Sequence, residues 1–209
     1  MSMRAASSPP DPARFIRKHL RLQEAPGLKG VKLYCAHKGS RLSLLDGDAP
    51  PYWAYSWAGG LALARHFIAH PNMVRTKRLL DLGAGSGLVG IVAAKLGARV
   101  SASEVDPYGR AAIALNAQAN GVEIALLADL TAPPKGIDVI AAGDVFYDET
   151  VAASMLPLLQ GCAAAGIAVL VGDPGRRDLP LGALEPVASY AVGDMGSSGA
   201  GEARVYRLR

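Results

Sequence analysis

Cysteine is scarce in this chain of 209 residues: Cys35 and Cys162 are the only two, far apart. That excludes a disulfide framework and any short metal or redox spacing, and reads as two reduced thiols in a reducing compartment. Histidine is scarce too. His66 and His70 form an i,i+4 pair that helical spacing would put on one face, but no further ligand stands near them, so no metal is expected. No run of eighteen or more apolar residues occurs, so no transmembrane helix and no membrane partner is expected. Met1 to Pro12 has no long apolar stretch and does not read as a secretory signal. It reads as a flexible tail, although its Ser, Pro and Ala content keeps a mitochondrial transit peptide open. Cytoplasm is the expected location, with the mitochondrial matrix as alternative. Net charge is +4, and basic residues gather before position 80, from Arg14, Arg17 and Lys18 to Arg75, Lys77 and Arg78. Such a surface suits an acidic partner or nucleic acid. With no aromatic-interleaved basic stripe and no nucleic-acid motif, the default is a solvated basic surface, and no nucleic-acid partner is expected. No internal repeat is visible.

What is present is an ordinary globular composition, half apolar and 19% charged. The length suits one domain with one α/β core. After the tail (1–12), residues 13–75 are expected to form an N-terminal helix, a hairpin and a second helix. Asp11 to Leu22 reads as an amphipathic helix with Pro12 at its first position. Val31 to Ala36 and Arg41 to Leu45 read as strands joined through Lys38-Gly39-Ser40. Asp46 to Pro51 reads as a loop, and Ser56 to Ala69 as a helix stopped by Pro71. From 76 to 209 strands and helices alternate: strand Arg78–Leu82, helix Leu88–Leu96, strand Arg99–Ser103, helix Tyr108–Ala119, strand Glu123–Ala128, strand Ile137–Ala142, helix Glu149–Ala163 and strand Ile167–Val171. Apolar strands alternating with helices predict a parallel sheet covered on both faces. Leu184–Val192 and Ala203–Leu208 read as a terminal hairpin around the Gly193–Gly201 loop. The expected fold is thus α/β and Rossmann-like, with a seven-stranded, mostly parallel sheet ending in an antiparallel hairpin.

The chemistry-bearing motif is Asp81-Leu82-Gly83-Ala84-Gly85-Ser86-Gly87, between a strand and a helix that opens at Leu88. Glycines let the backbone turn tightly and approach a ligand closely. The helix N-terminus behind them suits an anionic group. A rival frame, Gly85-Ser86-Gly87-Leu88-Val89-Gly90 with Glu104 downstream, matches a dinucleotide site. The two differ in register. If the strand ends near Gly83, the frame that begins at Asp81 governs, and S-adenosylmethionine is the expected cofactor, because its amino acid end gives Asp81 an ammonium to accept from. Glu104, with Val105 beside it, would take the ribose hydroxyls, while Asp106-Pro107 caps the next helix. Asp129, followed by Leu130, would accept from the adenine amino group.

Three further segments narrow the reading: Pro51-Tyr52-Trp53-Ala54-Tyr55-Ser56-Trp57-Ala58-Gly59-Gly60, Gly143-Asp144-Val145-Phe146-Tyr147-Asp148 and Gly172-Asp173-Pro174-Gly175-Arg176. With the glycine loop, they resemble the lysine methyltransferases of the electron-transfer flavoprotein beta subunit, from about Phe15 onward. Bacterial members of this group often carry a nicotinamide N-methyltransferase label. The resemblance implies a class I methyltransferase using S-adenosylmethionine, with Trp57 and Gly60 flanking the cofactor pocket and Asp144 to Tyr147 forming the acceptor side. It implies the flavoprotein beta subunit as protein substrate, with a small pyridine such as nicotinamide as the alternative. Lys29-Gly30-Val31 and Glu202-Ala203-Arg204-Val205-Tyr206 depart from the family pattern, both outside the cofactor core.

Asp144 and Tyr147 are the catalytic candidates. A lysine acceptor must lose a proton, which Asp144 would orient or pass to water. Asp144 as a contact to the cofactor's amino acid end stays open beside that. Tyr147 and Phe146 would wall an aromatic channel, with Phe146 equally readable as core. Trp53 and Trp57, four apart, read either as core or as cofactor contacts. Asp148 and Glu149 serve the next helix N-terminus. A monomer is expected.

Overall fold

The computed structural model describes residues 11–45, 50–127, 129–193 and 200–209. Most of the expected tail, of the Asp46–Pro51 loop and of the Gly193–Gly201 loop lies outside the described residues. Helix α1 (Pro12–His19) starts where Asp11 accepts the N–H groups of Ala13 and Arg14 at 2.8 and 3.2 Å. Pro12 stands at the first helical position, where a missing N–H costs nothing. The helix does not reach Leu22 as expected. Leu20 turns extended, and Arg21 and Leu22 pair with Cys35 and Tyr34. The ladder overrides the helical propensity of Arg and Leu.

The hairpin also lies elsewhere than the sequence suggested. It joins β1 (Arg21–Ala25) to β2 (Leu28–Cys35) across Pro26-Gly27, where Gly27 takes a φ of +68°. Val31 to Cys35 is a strand, but its partner precedes it. Beyond it the chain closes on itself: Ser40 Oγ accepts from His37 N–H at 2.8 Å and His37 Nδ1 from Gly39 N–H at 3.1 Å. Arg41 to Leu45 holds only a short 3₁₀ turn, Leu42–Leu44. The basic residues of this region, Arg14 to Arg41, are exposed.

Seven strands form the main sheet. They are β3 (Arg78–Leu82), β4 (Arg99–Ser103), β5 (Ile124–Leu127), β6 (Val139–Gly143), β7 (Ala168–Asp173), β8 (Leu184–Gly193) and β9 (Ala200–Leu208). Their spatial order is β5-β4-β3-β6-β7-β9-β8, parallel from β5 to β7, with β9 antiparallel to both its neighbours. The terminal hairpin is therefore as expected. Helices α2 (Ala58–Ala69), α3 (Leu88–Lys95), α4 (Pro107–Asn120) and α5 (Glu149–Ala164) connect the strands, each within two residues of its expected limits. One core cluster unites α2 and α3 with one sheet face, around Leu61, Phe67, Leu79 and Ile91. Another sets Leu159 and Cys162 of α5 against Leu80, Ile140 and Val171 on the other face. A third joins Phe15 and Ile16 to Trp53, Ala112 and Leu115 on α4.

The strand order reverses between β3 and β6. Connections leave in opposite directions there, so the carboxyl ends of the two strands border a crevice. Gly83 follows the end of one strand, and Asp144 follows the end of the other.

Candidate active site

Strand β3 ends at Leu82, so the glycine frame that begins at Asp81 governs the turn. Gly83, Gly85 and Gly87 all lie at positive φ, +65°, +52° and +78°. That region costs other residues roughly 1–2 kcal/mol. Three bonds tie the loop to its neighbours. Ala84 N–H donates to the Ser103 carbonyl at 3.1 Å, Gly85 N–H to Glu104 Oε2 at 2.7 Å, and Asn116 Nδ2 to the Ser86 carbonyl at 2.8 Å. Asn116 is fully buried and accepts Tyr34 N–H at 2.8 Å, so the N-terminal hairpin steadies the glycine turn through one side chain. No sequence signal marked Asn116.

Glu104 is more constrained than a free ribose acceptor. Its Oε1 accepts Asp106 N–H at 2.9 Å while Oε2 holds Gly85. Each carboxylate oxygen has a second lone pair, so accepting from a ligand remains available. Asp106 caps α4 as expected, accepting Tyr108 N–H at 2.7 Å. Glu104, Val105, Asp129 and Leu130 line a cavity of about 960 Å³ with Gly83, Gly85 and Asp144. Asp81, Trp57, Gly60, Ala84, Leu88 and Asp144 line a small adjoining recess. All the residues expected to bind cofactor thus converge except Gly87, whose place is structural: it caps α3, and a Cβ there would stand 3.2 Å from Ile113 Cγ1. Asp81 Oδ2 accepts Gly90 N–H at 2.8 Å. Burial, helped by the Glu104 charge and opposed by the Gly90 bond, pushes its carboxyl up to about 7.

Asp144 sits at a crowded corner. It is 8% exposed and adopts a φ of +57°, uncommon outside glycine. Its N–H donates to the Gly172 carbonyl at 2.9 Å, Oδ2 accepts Gly60 N–H at 3.0 Å from the first turn of α2, and Oδ1 pairs with Arg176 at 2.7 Å. Burial raises its pKa, and the Arg176 guanidinium pulls it back only in part. The Arg176 guanidinium also lies 5.7 Å over the Trp57 ring, and Trp57 Nε1 donates to the Tyr52 carbonyl at 2.8 Å. Tyr52 in turn stands 5.6 Å from Trp57 and 5.1 Å from Tyr147, centroid to centroid. Tyr52 and Tyr147 are 39% and 42% exposed, so these rings form an aromatic mouth open to solvent. Burial, then the Asp148 charge, raises the Tyr147 pKa, so it stays a neutral phenol.

Of the open alternatives, Phe146 is core, fully buried. Trp53 and Trp57 do not share a helix. Trp53 lies in a 3₁₀ turn, Tyr52–Ala54, buried and stacked 5.7 Å from Tyr108, whereas Trp57 precedes α2 half-buried. Asp148 caps α5 through Val151 N–H at 2.9 Å. Sequence reasoning missed Tyr52, Asp173 and Arg176 as site residues. The signal for Arg176 was the Asp-Pro-Gly turn before it, which re-aims the next side chain. The arrangement gathers Asp81, Glu104, Asp129 and the glycine turn around the buried Asp144 carboxylate, beside an aromatic mouth.

The lysine methyltransferase family model matches residues 54–179. An electron transfer flavoprotein beta subunit lysine methyltransferase of Rattus norvegicus is 44% identical over 131 residues, 60% of this chain and 51% of that protein. The Xenopus laevis protein of the same name is 36% identical over 156 residues, 69% of this chain and 62% of that one. The chain thus spans about half the length of the relatives it matches. Among solved structures, ribosomal protein L11 methylase from Lactobacillus delbrueckii subsp. bulgaricus aligns at a TM-score of 0.52 and 21% identity, covering 74% of this chain and 81% of that one. Magnesium protoporphyrin IX methyltransferase from Synechocystis PCC 6803, with bound SAH, aligns at 0.51 and 16% identity, covering 72% and 81%. These likenesses establish the fold.

Proposed function

This chain belongs to the lysine methyltransferase family, and from that premise we propose that it moves a methyl group from S-adenosylmethionine to a lysine side chain of a protein. The first candidate acceptor is the electron-transfer flavoprotein beta subunit, after the relatives named for it. One juxtaposition carries the reading: the mouth formed by Tyr52, Trp57 and Tyr147 shares its cavity with Asp144 and the glycine turn.

The residues fit the cofactor. Gly83 and Gly85 leave the turn without side chains beside the cavity, Glu104 and Asp129 offer acceptors for hydroxyls and an amine, and the buried Asp81 carboxyl faces a recess of its own. S-adenosylmethionine, when bound, supplies an electrophilic methyl group on a sulfonium. The protein's task is then to place the acceptor nitrogen in line and free its lone pair. A lysine has an ordinary pKa of about 10.4. Drawing it between half-buried aromatic rings disfavours its charged form. Asp144 at the base of the mouth orients the amine and gives its proton a route to water. The faces of Tyr52 and Tyr147 accommodate the ammonium as it enters and leaves.

The pH dependence of cofactor binding follows from Asp81. A cationic ammonium favours the carboxylate, while the protein without cofactor holds this group protonated below about 7. Affinity for S-adenosylmethionine is therefore expected to rise as pH goes from 5.5 to 7.5, up to roughly tenfold per pH unit below the midpoint. Titration calorimetry over that range checks it, below the ~7.7–8.0 at which the ligand's own α-amino group loses its proton. A flat profile would remove Asp81 from the amino acid subsite.

Gly85→Val tests the turn. Gly85 sits at a φ of +52°, where a β-branched residue is strained, and its Cβ would stand 3.7 Å from Trp53 Cα. Loss of measurable cofactor binding with a retained cooperative melt is expected; unchanged affinity would contradict the pocket assignment.

The reaction itself is tested with labelled S-adenosylmethionine, offered with purified electron-transfer flavoprotein and, separately, with nicotinamide. Label on beta-subunit lysines by mass spectrometry is the expected product. Label on nicotinamide alone would replace the protein acceptor with a small pyridine, for which Asp144 has no proton to manage.

A further inference from the structure

We propose that Arg176 is a positioning residue, held in place by Asp173, that clamps the Asp144 carboxylate in one orientation and in its ionised form. The inference rests on the reading of Asp144 as the acid–base residue of the acceptor site, and its test separates the two.

The clamp is built from both ends. Asp173, 0% exposed, ends β7 and accepts the N–H groups of Gly175 and Arg176 on Oδ1, each at 2.7 Å. Gly175 lies at a φ of +94°, so the chain reverses sharply and sends the Arg176 side chain back toward β6. The guanidinium then meets Asp144 Oδ1 at 2.7 Å and the Trp57 face at 5.7 Å. Asp173 Oδ2 is buried without a hydrogen-bond partner, and its charge raises the Asp144 pKa while the Arg176 guanidinium lowers the pKa of both carboxyls.

The groups facing Asp144 are few. Arg176 and Asp173 face it from the end of β7, Gly60 N–H from the N-terminus of α2, and Asp81 from across the recess; Tyr147 follows three residues on. Arg176 is the one cation of this set. Without it, Oδ1 would remain in a buried corner near another carboxylate, and the group would take up a proton or swing away. Gly60 N–H fixes only Oδ2, so one bond would remain about which the carboxylate can turn. The guanidinium meets the carboxylate through one nitrogen while it lies over the Trp57 ring, a combination that a lysine ammonium reproduces less well.

The test reads the charge of Asp144 directly. The side-chain carboxyl is titrated by carbon-13 NMR in the purified full chain, with Asp144→Asn assigning its resonance, for wild type, Arg176→Met and Arg176→Lys. The Asp144 midpoint is expected to rise by about one pH unit or more in Arg176→Met, and to fall part of the way back in Arg176→Lys. The acid limb of the methyl-transfer pH profile should move the same way, with affinity for S-adenosylmethionine unchanged within a few-fold. If Arg176→Met does not fold, Arg176→Gln removes the charge while keeping donors, and the same rise is expected. An unmoved midpoint in a folded, uncharged variant overturns the proposal. So does a loss of cofactor affinity in step with turnover, since Arg176 would then be a cofactor contact. If the wild type transfers no methyl group but the midpoint moves, the clamp stands and the proposed function falls.

Discussion

Asp144→Asn is expected to lower turnover by more than ~10²-fold while leaving affinity for S-adenosylmethionine within a few-fold, the scale of a positioned acid–base group. The substitution is conservative in shape. Asparagine tolerates the left-handed backbone that Asp144 adopts at a φ of +57°, and its carbonyl oxygen can still accept from Gly60 N–H, which Asp144 holds at 3.0 Å. What it removes is the negative charge at the base of the aromatic mouth. Arg176 loses its charged partner, but its side chain is 25% exposed and can be solvated, so the fold should survive. Stopped-flow or radiometric turnover, paired with calorimetric binding, separates the outcomes. If binding and turnover fall together, Asp144 belongs to the cofactor's amino acid end and the acceptor needs another base.

The second large effect is on stability. Gly59→Ala should destabilise the protein by about 3 kcal/mol or more, at or above the upper end for overpacking. The first turn of α2 lies directly on the ends of β6 and β7. A Cβ on Gly59 would run into the Gly172 carbonyl and stand 2.6 Å from Asp144 Oδ2. A Cβ on Gly143 would meet Gly60 Cα and N at 3.0 Å. The obstacles at Gly59 include backbone, so no rotamer change relieves them. For a chain of this size, ~3 kcal/mol lowers the melting temperature by roughly 10 °C. Gly182→Ala is the matched control: nothing lies within 4 Å of its Cβ, and a change within about 0.5 kcal/mol is expected. A Gly59→Ala protein that melts within about 2 °C of wild type would mean that α2 can lift off the strands, and that Gly60 does not hold Asp144 in solution.

These two effects meet in one feature. Glycines at 59, 60, 143 and 172 bring the N-terminus of α2 against the strand ends, and that contact places a backbone N–H on the Asp144 carboxylate. The same close approach that costs tolerance to substitution gives the site its fixed geometry.

Local rules were enough for much of the molecule. Asp11 before Pro12 and Asp106 before Pro107 marked helix starts, because a side-chain cap and a fixed φ act within a few residues. Apolar strands alternating with helices required a covered parallel sheet, and the glycine spacing after Asp81 specified the turn. Asp81, Glu104 and Asp129 were picked out by their places at strand ends, and Asp144 and Tyr147 by the resemblance; the structure brings all five to one cavity and its adjoining recess.

The sequence misplaced what depends on pairing at a distance. It put a hairpin around Lys38 to Ser40, where the ladder instead joins Arg21–Ala25 to Leu28–Cys35, because strand periodicity does not say which neighbour a strand takes. It extended α1 to Leu22 for the same reason. It left Phe146 undecided between core and site, which burial resolves, whereas Trp53 is both buried and part of the cavity wall. Above all it could not join Arg176 to Asp144 across 32 residues of chain, or Asn116 to Ser86 across 30, since the first contact exists only once β6 and β7 lie side by side and the second only once α4 packs by the glycine turn. Composition and spacing determined the fold class and the cofactor loop; the tertiary structure decided which charges face each other, because electrostatic partnership is a matter of position in space and not of order along the chain.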